Sequence, residues 1–499
     1  MTKQRKKGLE ALSLIQIAAL LDKKETSSSE ITEILLGRIR TGKNNAYALV
    51  NEQAMKAAAA ADRRRQAVGA LSIADGVPMA LKDNFCVKGM ATSCASRMLA
   101  NFVPPYTASV AEKLENAGSI LLGKLNMDEF DAGSAAGGSI FGAVKNPADP
   151  RRTAGRPSGG PAAAVAEDTA YFTIGSDVGG SVRQPSAFCG VVGLRPTFGR
   201  VSRFGFAHFA SSLDQAGPLS KTVEDCAAVL SLIAGHDAKD PCTLPDPAPD
   251  YRAFLHGAEG LKGLRVGVPG EYMGAEVQEE IRQSVTTLAA ALREAGAVVE
   301  ECPLPHTAYA LGAFIVISSA EFSSNMNRYD GVKFGYRAGN YENYDDMLRR
   351  TRTEAFGDEV KRRILFGAYM LRSGNYHTYF LQAQKARALV MEDFRQAFSK
   401  FDLLLTPATP VTAWPLDKTF GSQAEAFAAE QCTVSASLAG LPAISIPWGE
   451  DGEGLPIGIQ LIGPALSEGR ILQAAHGAEE LYKTKNKNRN GRKGGRADV

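Results

Sequence analysis

Short apolar runs alternate with amphipathic helical stretches along almost the whole sequence, and this alternation limits the possible folds more than any other feature. The strand-like runs are VPMAL (77–81), SILLGKL (119–125), Tyr171 to Ile174, LRVGVP (264–269), FDLLLTP from Phe401, AISIP from Ala443 and IGIQLIG from Ile457. Helical signals lie between them. Ser27-x-x-Glu30 reads as a capping box ahead of Ile31, Ile34, Leu35 and Ile39 on one face. Ser109-x-x-Glu112 reads as another, for a helix stopping at Gly118. Pro161 suits the first turn of a helix through Asp168, where its missing N–H costs nothing. An amphipathic helix is predicted over 276–295. Alternation of this kind implies an α/β fold with a mostly buried sheet. No internal repeat or long linker appears. The reading is one domain over 1–482, with a helix-rich insertion at roughly 309–398 and a basic tail over 483–499.

Composition excludes several functions. Apolar residues make up 44% and charged residues 22%, with a net charge of +2, so no global field favours nucleic acid or membrane. Seven scattered cysteines without a CxxC pair point to free thiols in a reducing compartment, and away from disulfides or zinc. The histidines form no HExxH or HxH. Lys3, Arg5, Lys6 and Lys7 precede ALSLIQIAALL, but Glu10, Gln16 and Asp22-Lys23-Lys24 make this a surface helix with Leu12, Ile15 and Leu20 on one face, not a leader. No apolar run is long enough to span a membrane. The tail's lysines and arginines read as solvated and disordered.

The chemistry concentrates between Gly155 and Pro185, where two glycine-rich turns, GRPSGG (155–160) and GSDVGGS (175–181), flank a helix-like and a strand-like segment. Small residues there let backbone N–H groups converge as an oxyanion hole beside Ser181. A serine needs a base. No histidine neighbours Ser181, and there is no GxSxG. Lys82, at the end of an apolar strand, can act as the base if burial disfavours its charge. Equally, it can be a surface lysine paired with Asp83. The residues alone leave both readings open.

GVPMALKDNF (76–85), NMDEF (126–130), SGGPAAAVA (158–166), GSDVGGSVRQPSAFCGVVGLRPTFGRVSR (175–203) and SSLDQAGPLSKTVED (211–225) together resemble the amidase signature family. Within it, TSCASRMLANFVPPY (92–106), FGDEVKRRI (356–364), the segment from Asn325 to Gly335 and LAGLPAISIP (438–447) are similar to the A subunits (GatA) of tRNA-dependent amidotransferases. The match runs to about Leu481. It implies a central mixed β-sheet flanked by helices on both faces, and a Ser–cis-Ser–Lys triad. Ser181 would be the nucleophile toward the glutamine amide and Lys82 the base. The N–H groups of Val178, Gly179, Gly180 and Ser181 would line the oxyanion hole, with Arg183 holding the turn. Arg363 would pair with the substrate carboxylate. Ammonia would pass to a GatB-like partner that uses ATP and Mg to amidate misacylated Glu-tRNA(Gln), with a GatC-like subunit clasping the heterotrimer in the cytoplasm. The chain itself would hold no cofactor.

The sequence departs from that pattern at the site. Pro157 occupies the slot of the bridging serine, and Ser158 matches the second serine of the motif. Phe314 replaces a tyrosine that contacts glutamine. Glu430 replaces the aspartate that receives the substrate ammonium. GSAAGGS (133–139) replaces GSSTENS. Proline carries no hydroxyl and no N–H, so the expectation is an amidotransferase component with weak or absent glutaminase activity. The alternatives are a stand-alone amidase for a small amide and a non-catalytic scaffold of the amidotransferase.

Overall fold

The computed structural model describes residues 8–133 and 138–494. Its centre is one mixed sheet of eleven strands: β1 (Tyr47–Val50), β2 (Pro78–Lys82), β3 (Ile120–Leu125), β4 (Phe172–Asp177), β5 (Val192–Arg195), β6 (Gln215–Ser220), β7 (Arg265–Val268), β8 (Val298–Glu301), β9 (Leu403–Pro407), β10 (Ala443–Glu450) and β11 (Pro456–Ile462). Their spatial order is β1-β3-β2-β4-β6-β5-β10-β11-β9-β7-β8. The apolar runs read from the sequence became β2, β3, β4, β7, β9, β10 and β11, within a few residues. The QAGPLS strand β6 gave no such signal, because glycine and proline usually mark strand ends or edges. Here it is buried between β4 and β5.

Register places the site. β2 runs parallel to both β3 and β4, with Leu81 opposite Ile174. The carboxyl ends of β2 and β4 therefore emerge side by side, bringing Lys82 to Ser176. Crevices outside strand carboxyl ends are where open α/β sheets bind ligands.

Helices Ala310–Asn325, Tyr344–Ala355, Asp358–Leu371 and Leu381–Lys400 occupy the region predicted as the insertion. They enclose a second apolar core that includes Phe130, Phe314, Phe322, Phe356 and Phe394. Helices 310–325 and 358–371 cross closely because residue 367 is glycine. A Cβ there would stand 2.0 Å from the Ser319 carbonyl oxygen.

Three local expectations change. Ser27 caps its helix as read, accepting from the Glu30 N–H, but Ser109 is already inside its helix, whose N-cap is Ala108. The first helix, Leu14–Asp22, has its capping box at Ser13 and Gln16 and buries Leu14, Ile17, Ala18 and Leu21. Leu12, Ile15 and Leu20 flank that face. The last helix, Glu468–Gly494, runs into the predicted tail. Its buried first half (Ile471, Leu472, Ala475, Ala478) and the Lys483–Glu479 pair at 2.9 Å propagate the helix past the core. The basic residues before Gly8, the substituted positions 135–137 and the end of the tail lie outside the described residues.

Candidate active site

Lys82 is fully buried at the end of β2. Its Nζ donates to the Ser176 hydroxyl at 2.9 Å and forms an ion pair with Asp131. The Ser176 hydroxyl donates to Asp131 Oδ2 at 2.8 Å, and Asn84 Nδ2 donates to both Ser176 Oγ and Asp131 Oδ2 at 2.9 Å. Asp83 is not the partner of Lys82. It pairs with buried Lys124 at 3.1 Å, because successive residues of an extended chain project to opposite sides. Burial pushes the Asp131 carboxyl above its usual range, although Lys82 draws it back. The sequence reading missed Asp131, Ser176 and Asn84. Asn84 and Ser176 lie just beyond the segments read as strands, and Asp131 just beyond NMDEF, where no periodicity marks a buried polar residue.

The turn after β4 is built around Asp177. Its carboxylate accepts from the N–H groups of Gly180 and Val182, at 3.0 and 3.2 Å. Arg183 closes on the same carboxylate with Nε at 3.0 Å and Nη2 at 2.9 Å, and Arg195 adds a contact at 3.3 Å. Arg183 thus holds the turn in shape. Burial pushes Asp177 up, but Arg183 and then Arg195 overcome it and hold the carboxyl well below the usual range. The Gly180 N–H is consequently committed to Asp177, which leaves Val178, Gly179 and Ser181 as the candidate oxyanion donors. Gly180 adopts φ +128°, a conformation open to glycine. The Phe314 ring packs against Gly179, where a Cβ would meet it at 2.4 Å, and the Thr433 hydroxyl donates to the Gly179 carbonyl.

Ser181 is 7% exposed, and among the described residues no group holds its hydroxyl. Ser158 does not bridge it to Lys82: its buried hydroxyl donates to the Ser176 carbonyl at 3.2 Å. Pro157 lies beside Gly133, whose Cβ position would be 3.6 Å from the ring.

Arg363 and Glu430, the two residues expected to meet the substrate, come from other elements. Arg363 is buried between the rings of Phe209 and Phe427, 5.2 and 4.8 Å from their centroids. It donates to Glu359 at 2.8 Å and to the Gly133 carbonyl at 3.0 Å. Glu430 sits on the turn that Thr433 ties to Gly179, and the described residues offer its carboxylate no hydrogen-bond donor. Burial pushes that carboxyl up to about 7, against the pull of Arg363, with Asp177, Asp128 and Glu359 adding to the rise.

This shift has a thermodynamic consequence. Between the unfolded value near 4.5 and about 7 the unfolded chain has lost the proton that the native state keeps, so Glu430 costs stability as pH rises through that window. Glu430→Gln removes the cost. Relative to wild type, the variant gains about 2 kcal/mol between pH 5 and pH 8 in urea unfolding. The shifted Glu129, common to both proteins, cancels. An unchanged difference at the two pH values would contradict this account.

A serine beside a glycine-rich turn and a buried lysine at a strand end make up an amidase-type site. A sequence model of the family described as Amidase matches residues 30–472. The A subunit of the glutamyl-tRNA(Gln) amidotransferase of Moorella thermoacetica is 48% identical over 472 residues, covering 94% of this chain and 96% of that protein. Among solved structures, its counterpart from Thermotoga maritima superposes with a TM-score of 0.78 at 33% identity, covering 95% of each chain. The peptide amidase of Stenotrophomonas maltophilia gives 0.80 at 31% identity, covering 94% of this chain and 97% of that one. This chain belongs to the amidase signature family, on the branch of the glutamyl-tRNA(Gln) amidotransferase A subunits.

Proposed function

We propose that this chain is the A subunit of a tRNA-dependent amidotransferase, with a site shaped for the side-chain amide of glutamine. The observation that carries the reading is the pair Arg363 and Glu430, which feel each other electrostatically, with Glu430 on the segment that Thr433 ties to the Gly179 carbonyl. A guanidinium suits an α-carboxylate, and an unpartnered carboxylate suits an α-ammonium. In this reading Ser181 Oγ adds to the amide carbon, and the oxygen that becomes negative lies on the N–H groups of Val178, Gly179 and Ser181. Collapse breaks the C–N bond. Ammonia leaves with the serine proton, and water then frees glutamate and restores Ser181.

The ammonia serves a GatB-like subunit, which holds ATP and Mg and converts Glu-tRNA(Gln) to Gln-tRNA(Gln). A GatC-like subunit clasps the pair. The relatives' names and the near-complete coverage support this assignment. A cytoplasmic setting fits seven unpaired cysteines. Among the described residues, no helix is long and apolar enough to cross a membrane.

Co-expression with B- and C-type subunits tests the assignment. The expected result is one co-eluting complex that amidates Glu-tRNA(Gln) from ammonium chloride, ATP and Mg. A chain that elutes alone in their presence and hydrolyses small amides would instead establish the stand-alone amidase.

A further inference from the structure

The lysine amine that should accept the Ser181 proton already has a partner. Lys82 and Asp131 form a pair with no exposed surface on the lysine and 2% on the aspartate. Ser176 and Asn84 both hydrogen-bond within the pair's surroundings and tie the four groups into one buried network. Asp131 Oδ1 is ion-paired with Lys82, and within the network Asn84 Oδ1 alone meets no partner among the described residues. The backbone is shaped for this contact. Phe130 and Asp131 both adopt left-handed conformations, φ 49° and 60°, uncommon for a residue as bulky as phenylalanine. The Phe130 ring is anchored against Tyr329 and Phe356, with centroids 4.7 and 5.9 Å away.

Whichever group of the pair carries the proton, Lys82 is left without a free lone pair. With the proton on nitrogen, the ammonium has no lone pair. With it on Asp131, the lysine lone pair accepts the carboxylic O–H. A relay is missing as well. Pro157 has no hydroxyl, and Ser158 gives its only proton to the Ser176 carbonyl.

We propose that Asp131 is a positioning residue that clamps Lys82 and removes it from proton transfer, so that the Ser181 site binds a carboxamide without cleaving it at an amidase's rate. This rests on the reading of the site given above. The loss expected from removing a positioned proton-transfer partner is about 10²- to 10⁴-fold.

The test uses the complete complex and a fluorophosphonate probe, which reports an activated serine without using Arg363 or Glu430. Wild type, Pro157→Ser, Asp131→Asn/Pro157→Ser and that double variant with Ser181→Ala are compared. Asparagine keeps an acceptor oxygen for Asn84 and Ser176 but not the charge. Intact-mass analysis is expected to show Ser181 labelled about 10²-fold faster in the double variant than in wild type or Pro157→Ser. Label is absent once Ser181 is replaced, and kcat for glutamine rises at unchanged KM. Three results would overturn the clamp: wild type labelling as fast as the double variant, Pro157→Ser alone reaching the same rate, or a double variant that melts like wild type and stays unreactive. If the double variant does not fold, Asp131→Ala/Pro157→Ser, which likewise removes the carboxylate and supplies the hydroxyl, decides. Labelling at least about tenfold faster than wild type supports the clamp, and equal rates reject it. Absence of any glutamine-induced rise in melting temperature would count separately, against the glutamine reading and not against the clamp.

Discussion

Arg183→Ala lowers unfolding stability by about 3–5 kcal/mol, the cost of stripping a buried charge of its partner. Arg183 has no exposed surface, and every guanidinium nitrogen is engaged. Nε and Nη2 bind Asp177, Nη2 also reaches Ser437 Oγ at 2.8 Å, and Nη1 reaches the Thr433 carbonyl at 3.0 Å and Gln460 at 2.7 Å. Alanine leaves the Asp177 carboxylate buried with Arg195 as its remaining cation. It also cuts the tie between the Ser181 turn and the turn carrying Glu430. Arg183→Lys keeps the charge but loses the fork geometry, and recovers only part of the loss. Urea unfolding measures both. A loss below about 1 kcal/mol for alanine would mean that Arg195 alone sustains the turn. Because the Asp177 carboxyl is held low in the native state, its contribution is present above the unfolded value near 4 and fades as pH falls. The wild-type advantage over Arg183→Ala therefore shrinks in acid.

Free ammonium supports tRNA amidation by the assembled complex about 10²-fold faster than glutamine at saturating concentrations of each. The partner's amidation step does not depend on how ammonia arrives, whereas release from glutamine needs a base that Asp131 occupies and a relay that Pro157 lacks. Steady-state amidation of Glu-tRNA(Gln) with each donor gives the ratio directly. Equal rates from the two donors would show that the Ser181 site hydrolyses glutamine competently by another proton route. Wild-type rates from ammonium in Ser181→Ala are the matching control on the partner's chemistry.

The readable part of this protein was local. Alternating apolar runs and helix signals located seven of the strands, since burial of a strand is written into consecutive side chains. Strand β6 escaped because its glycine and proline argue against a central position that only its neighbours on both sides enforce. The helix through the basic tail escaped for a related reason: it propagates from a packed first half that composition does not reveal. Ser181 and Pro157 were legible because turn chemistry and a missing hydroxyl are properties of single positions.

The partner of Lys82 was not legible. Its neighbour in sequence, Asp83, is the obvious candidate, yet it turns to Lys124 on the other side of the chain. The same holds for Gly180, whose N–H the Asp177 carboxylate claims. By itself, the sequence determined the α/β class, the glycine-rich turn with Ser181 and the absence of a hydroxyl at residue 157. Only the tertiary structure decided what Lys82 touches. Parallel pairing of β2 with β4 sets Ser176 beside it, and a left-handed turn at Phe130 and Asp131 carries a carboxylate to it. Ion pairing depends on distance in space, and that distance is set by strand register and backbone conformation, not by position along the chain.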